Sequence, residues 1–128
     1  MPTLFTRIIN GEIPCYKIAE NEQFIAFLDI RPIAEGHTLV VPKKEIDYIF
    51  DHDDQTLADM MIFAKKIAKA IEKAIPCLRV GLAVIGLEIP HTHLHLIPLH
   101  QSHIDFRHTI QQSSEQLAAT AQKIVAQL

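Results

Sequence analysis

The chain has 128 residues, 48% of them hydrophobic, and a formal net charge of −3 at pH 7. One globular α+β domain spanning 1–128 is expected, long enough to bury roughly two-thirds of its unfolded surface. The mild acidity excludes a general nucleic-acid field, and no apolar run reaches the ~18 residues a membrane helix needs, so a soluble, cytoplasmic protein with no nucleic-acid or membrane partner is expected.

In chain order, Leu4, Phe5, Ile8 and Ile9 repeat at helical spacing before the stop signal Asn10-Gly11, which predicts a short helix. Strands are predicted from Cys15 to Ala19 and from Gln23 to Leu28, the second largely buried, with a turn at Asn21-Glu22. Asp29 closes that strand before Ile30-Arg31-Pro32 forces an extended exit. Glu35-Gly36 turns the chain into a third strand, His37 to Val41, ended by Pro42, and Lys43 to Phe50 reads as a short helix and loop. Asp53-Asp54 starts a long helix reaching Ala74, with an apolar stripe of Leu57, Met60, Met61, Ala64, Ile67, Ala68 and Ile71. Lys65, Lys66, Lys69 and Lys73 form its solvated face, and Pro76 follows it. A fourth strand covers Arg79 to Ile85, and Gly86 to Pro90 is a turn. Ser113 and Gln116 have capping-box spacing and open a C-terminal helix with Leu117, Ala121, Ile124 and Leu128 on its apolar face. Strands mostly neighbour strands, which favours an antiparallel sheet over a parallel array. Cys15 and Cys77 are far apart in no metal-like spacing, and His100, His103 and His108 are too irregularly placed to define a site.

The stretch that carries chemistry is His91-Thr92-His93-Leu94-His95-Leu96-Ile97-Pro98. Side chains alternate faces along a strand, so three imidazoles would share one face while Leu94 and Leu96 enter the core. A helix would scatter them. Pro90 and Pro98 are expected to bracket this fifth strand. Three imidazoles on one strip suit a metal site, a general acid/base relay or a histidine nucleophile with helpers.

The run resembles the signature of the histidine triad (HIT) proteins, His-x-His-x-His-x-x with apolar x, Thr92 being the one intermediate position that is not strictly apolar. Leu4 to Pro14, Phe27-Leu28-Asp29-Ile30 and Gly36 to Lys44 are similar to three further family segments, so the likeness covers residues 3–100 in order and leaves 101–128 as a C-terminal extension. The resemblance implies a HIT-like five-stranded antiparallel sheet with one long helix, and a homodimer. It also implies binding of purine nucleotides or their conjugates, such as phosphoramidates and dinucleotides, with hydrolysis or transfer through a nucleotidyl-histidine and no cofactor. It makes His93 the nucleophile and His91 a phosphate holder, with His95 and His37 as a chain behind His93 that fixes its tautomer and relays the proton. Asp29 would meet the ribose, and Leu4, Phe5, Ile8 and Phe27 the base.

The chain departs from the pattern in two places. Family enzymes carry an Asn and then a Gly-Gln-Ser/Thr loop that holds phosphate, whereas this chain runs Ala83 to Pro90 with Glu88 near the hydroxyl position. Glu88 is expected at the nucleotide, ionised and paired with a histidine or with the cationic amine of a substrate, so that leaving groups adding negative charge are disfavoured. Some bacterial members bind structural zinc through a Cys-x-x-Cys pair; here Thr3 and Thr6 stand at those positions and Glu45 at the nearby one where a histidine is common, so no metal is expected there. The altered loop leaves a nucleotide-binding regulatory module with little turnover as the alternative to an enzyme, and a metalloprotein on His91, His93 and His95 as the third reading.

Overall fold

The computed structural model describes residues 2–128. Its elements are α1 (Leu4–Ile9), β1 (Lys17–Glu20), β2 (Phe24–Leu28), β3 (Thr38–Pro42), a 3-10 turn at Ile49–Asp51, α2 (Asp54–Ala74), β4 (Arg79–Ala83), β5 (Leu94–Leu99) and α3 (Ser114–Val125). The five strands form one antiparallel sheet in the order β1-β2-β3-β5-β4. No helix among the described residues is long and apolar enough to cross a membrane.

The sheet has a core on each face. Helices α2 and α3 cover one, where Phe24, Ala26, Leu28, Val40, Leu94 and Leu96 meet Met60, Ile67, Ile71, Leu117 and Ile124. Phe5 of α1 joins Ile25, Phe27, Leu39 and Val41 on the other. This double burial explains why β2 and β3 read as continuous apolar runs, every residue of both strands being buried. The helix starts follow the sequence signals. Asp53 accepts from the Thr56 amide, and Ser113 and Gln116 form the reciprocal box at α3. Thr120 and Lys123 of α3 both donate to Glu35, so the C-terminal helix is tied to the turn that leads into His37. At that turn Gly36 has φ +93, and a Cβ there would lie 3.1 Å from Ile75 Cγ1 and 3.3 Å from Pro98 Cγ, so only glycine fits.

Several expected boundaries shift. The segment after Pro42 has only the 3-10 turn and no longer helix. Met61 is exposed on α2, and Leu128 lies beyond the end of α3, exposed. Regular pairing of β5 begins at Leu94, so His91 and Thr92 lie outside the ladder. Pro98 is inside β5 rather than after it. The proline is tolerated because β3 pairs only with Leu94 to Leu96, leaving Pro98 with one strand neighbour, Val80. The histidine strand is also interior; the open edges belong to β1 and β4.

Candidate active site

The alternation predicted for the histidines survives the shift in strand boundary. His95 pairs with Leu39, which lies on the Phe5 side of the sheet. The His91 and His93 rings pack edge-on against Phe5 at centroid distances of 5.7 and 5.0 Å. His93 and His95 stand 5.1 Å apart. His37, one residue before β3, completes a group of four imidazoles, with Nε2 2.9 Å from His95 Nδ1.

Backbone groups set the tautomer of each ring. His93 Nδ1 lies 2.8 Å from the His91 carbonyl, which can only accept, so Nδ1 carries the proton and Nε2 the lone pair. The Ile33 amide donates to His37 Nδ1 at 3.1 Å. His37 must then hold its proton on Nε2 and donate to His95 Nδ1. His95 is left with a proton on Nε2 and no partner for it among the described residues. The result is one imidazole presenting a lone pair beside another presenting an N–H. Burial, with a smaller contribution from each neighbouring imidazole, pushes the pKa of His37 down to about 3 and that of His95 down to about 4. Both rings are neutral at pH 7.

Two expected roles change. The His37–His95 chain does not fix the tautomer of His93; the His91 carbonyl does. Nor can the chain relay a proton inward, because it ends on an amide N–H, a donor. It holds His95 in one orientation. His91 in turn has no nitrogen free for a phosphate: Nε2 donates to the Pro42 carbonyl at 2.7 Å and Nδ1 accepts from the Thr3 hydroxyl at 2.7 Å, in a fully buried ring. Its function is to hold the carbonyl that orients His93.

The anchor of His91 is a network across the N-terminal segment. Thr3 Oγ1 accepts from the Thr6 amide, while the Thr3 amide and Thr6 hydroxyl donate to Glu45 Oε1 at 2.9 and 2.6 Å. The Thr6 hydroxyl, followed by the Thr3 amide, holds the Glu45 carboxyl below its usual range. Thr3, Thr6, Glu45 and His91 are thus gathered where the resemblance places a zinc site, but they do not fit it. Hydroxyls are poor zinc donors, and both nitrogens of His91 are already engaged.

Asp29, His37 and His95 also bring three ligand atoms within 4.8 Å of one another. A metal there would need the lone pair of His37 Nε2, which the Ile33 N–H denies it. The same bookkeeping leaves only Nε2 of His93 without a protein partner as an acceptor in the triad, which argues against ligation by three histidines.

Asp29 follows β2 directly and accepts from the Arg31 amide at 2.9 Å. Its Oδ2 is 3.6 Å from His37 Nε2, too long for a hydrogen bond. Burial raises its pKa, and the negative charge of Glu88 adds a smaller rise. Glu88 itself is exposed, with no hydrogen bond or ion pair among the described residues. Of the four apolar residues expected at the base, Phe5 and Phe27 are buried against each other at 5.8 Å; Leu4 is exposed and Ile8 half-buried. Leu4 and Ile8 are thus the accessible members of the four, with Ile8 packed against the cluster that holds Phe5 and Phe27.

Two contributors were not foreseen. His52, buried, has Nε2 2.9 Å from the Thr92 hydroxyl, which donates to the Ile46 carbonyl. This is why a hydroxyl replaces an apolar residue between the first two triad histidines; Thr92 itself was the available signal. Phe106 packs on His95 with ring centroids 4.8 Å apart. It lies in a segment without periodicity, so no sequence signal pointed to it.

Comparison with known proteins finds a HIT domain over residues 10–102. The chain is 41% identical over 96 residues to an adenosine 5'-monophosphoramidase of Saccharomyces cerevisiae, covering 74% of this chain and 61% of that protein. It is 36% identical over 99 residues to an adenosine 5'-monophosphoramidase of Schizosaccharomyces pombe, covering 77% and 74%. Among solved structures, a Hit-like protein from Bartonella henselae superposes with a TM-score of 0.87 at 34% identity, covering 98% of this chain and 96% of that one.

Proposed function

Since the chain belongs to the histidine triad family, Hint-like in its relatives, we propose that it is a nucleotide phosphoramidase that acts at the α-phosphate of a purine nucleotide conjugate through a nucleotidyl-His93 intermediate. The observation that carries this reading is the His93 Nδ1–H bond to the His91 carbonyl, which leaves a nucleophilic Nε2 beside the N–H of His95.

The steps balance as follows. The Nε2 lone pair of His93 forms a bond to phosphorus and the bond to the leaving amine breaks. His95 Nε2–H hydrogen-bonds the departing atom, which ends protonated with a proton drawn from solvent. Water then cleaves the N–P bond and releases the nucleoside monophosphate, so that one water has added across the original bond. The protein's part is chiefly orientation and stabilisation of oxygen and leaving-group charge. Asp29 accepts from the ribose hydroxyls in this reading, with Leu4 and Ile8 against the base.

Charge at the mouth of the site supports an amine leaving group. At an effective dielectric of about 20, unit charges ~4 Å apart interact by roughly 4 kcal/mol, and exposure reduces that. Even a reduced repulsion disfavours a polyphosphate tail near Glu88. Wild-type protein is expected to turn over adenosine 5'-phosphoramidates faster than dinucleoside polyphosphates, and Glu88→Gln should raise the polyphosphate-to-phosphoramidate ratio several-fold. An unchanged ratio would make Glu88 a loop residue facing water. Tight nucleotide binding without turnover of either class would favour the regulatory reading.

The reading includes a homodimer acting in the cytoplasm, whose reducing conditions suit the free Cys15 and Cys77. Edge strand β4 exposes Leu82, and an apolar groove lined by Met61, Ile62, Ala68, Val80 and Leu82 runs between it and α2. Pairing β4 with a second copy would cover both. Sedimentation at micromolar concentration should give twice the 14.5 kDa chain mass; a monomer alone would remove the dimer from the account.

A further inference from the structure

Between β5 and α3 the chain returns over the histidines in a short turn built on Asp105. The Asp105 Oδ1 accepts from the Arg107 amide at 3.0 Å, its Oδ2 lies 2.7 Å from His108 Nδ1, and its carbonyl accepts from the His108 amide at 3.3 Å. The exit is pinned where the Ile110 amide donates to the Pro32 carbonyl at 2.7 Å. That bond matters because Ile33, the next residue, donates the N–H that fixes His37. Two loops are thereby joined around one pair of imidazoles. Phe106, at the tip, sets its ring 64° to that of His95 at 4.8 Å and lies 6.5 Å from His37. Phe106 is 37% exposed, so it packs on the histidines while part of the residue stays open to solvent.

We infer that Phe106 is a specificity-determining residue, the aromatic wall of a leaving-group subsite that favours nucleoside phosphoramidates whose amine carries a flat aromatic substituent. The inference rests on the proposed phosphoramidase reading, since His95 Nε2–H marks the leaving side only if His93 is the nucleophile. Three features agree on this ligand class. His95 supplies a hydrogen bond to the departing nitrogen, Phe106 offers a partly exposed aromatic side chain beside it, and Glu88 disfavours a polyanionic leaving group. The carboxylate of Asp105 and the Pro32 carbonyl hold the two ends of the turn that carries Phe106.

The test compares kcat/KM for unsubstituted adenosine 5'-phosphoramidate and for its N-aryl derivative in wild type, Phe106→Ala and Phe106→Leu. Loss of an aromatic contact made by the leaving group lowers the ratio of the N-aryl to the unsubstituted value about tenfold in Phe106→Ala, over and above any loss that both substrates share through the packing on His95. Phe106→Leu keeps apolar packing on His95, and its ratio should fall between. If both substrates lose activity equally, Phe106 merely supports His95 and the inference fails while the phosphoramidase reading stands. If Phe106→Ala does not fold, an unchanged ratio in Phe106→Leu overturns the inference. Wild type that cleaves neither substrate removes the underlying reading and the subsite with it.

Discussion

His93→Ala should lower turnover of an adenosine phosphoramidate by at least about 10³-fold while changing nucleotide affinity by no more than about tenfold. Removing a nucleophile removes the covalent route, and a 10³-fold loss corresponds to roughly 4 kcal/mol of transition-state stabilisation. Binding should persist because the substitution touches neither Asp29 nor Leu4 and Ile8. The vacated volume is a further reason to measure both quantities. Phe5 packs edge-on against the His93 ring at 5.0 Å, and its relaxation toward the gap is the main route by which affinity could fall. Single-turnover kinetics with an independent binding titration separate the two effects. Retained turnover would end the covalent mechanism. Joint loss of binding and turnover would point instead to a ligand-holding role for the triad.

Acidification should destabilise the fold well above the pH at which carboxylates titrate. A histidine whose folded pKa lies below its unfolded value of about 6.5 takes up a proton more readily in the unfolded chain. Stability is therefore complete above about pH 6.5 and falls as pH drops toward about 3 for His37 and about 4 for His95. His91 and His52 are shifted in the same direction by burial and add to the slope. At pH 5 the deeply buried His37 alone contributes a loss of roughly 2 kcal/mol. The His37 share alone should drop the Tm on the order of 5–10 °C between pH 7 and pH 5, and the other buried imidazoles deepen the drop. Glu20, held down to about 2 by hydrogen bonds from Lys43 and Lys17, loses its stabilising effect only below about pH 4.5, outside the range from pH 7 to pH 5. A Tm unchanged from pH 7 to pH 5 would mean that His37 and His95 are hydrated and free to protonate in the folded state.

Much of this arrangement was legible in the residues themselves. The period of two from His91 to His95 placed three imidazoles on one face, and the unbroken apolar character of Phe24–Leu28 told of a strand covered on both sides. Capping chemistry located the starts of α2 and α3 to within a residue. What the pattern could not give was the source of each proton. That depends on the Ile33 amide, the His91 carbonyl and the Pro42 carbonyl, and backbone groups have no sequence signature. For the same reason His91, one of three equivalent letters in the motif, turned out to be engaged at both nitrogens, and regular strand pairing began three residues late. The polar trio Thr3, Thr6 and Glu45 could be read as a lost metal site, yet not as the hydrogen-bonded substitute that anchors His91. Phe106 was invisible because an isolated aromatic in an aperiodic segment can land anywhere; only the bond from Ile110 to Pro32 brings it onto His95.

The most direct test of the nucleophilic role of His93 is the stereochemical course at phosphorus. Hydrolysis of an adenosine 5'-phosphoramidate analogue made chiral at the α-phosphorus by sulfur substitution, run in ¹⁸O-water, distinguishes two displacements from one. Each in-line displacement inverts the centre, so a nucleotidyl-His93 intermediate predicts net retention in the monophosphate product. Net inversion would mean that water attacks the substrate directly, with His93 serving as no more than a base or a contact, and would contradict the account at its centre.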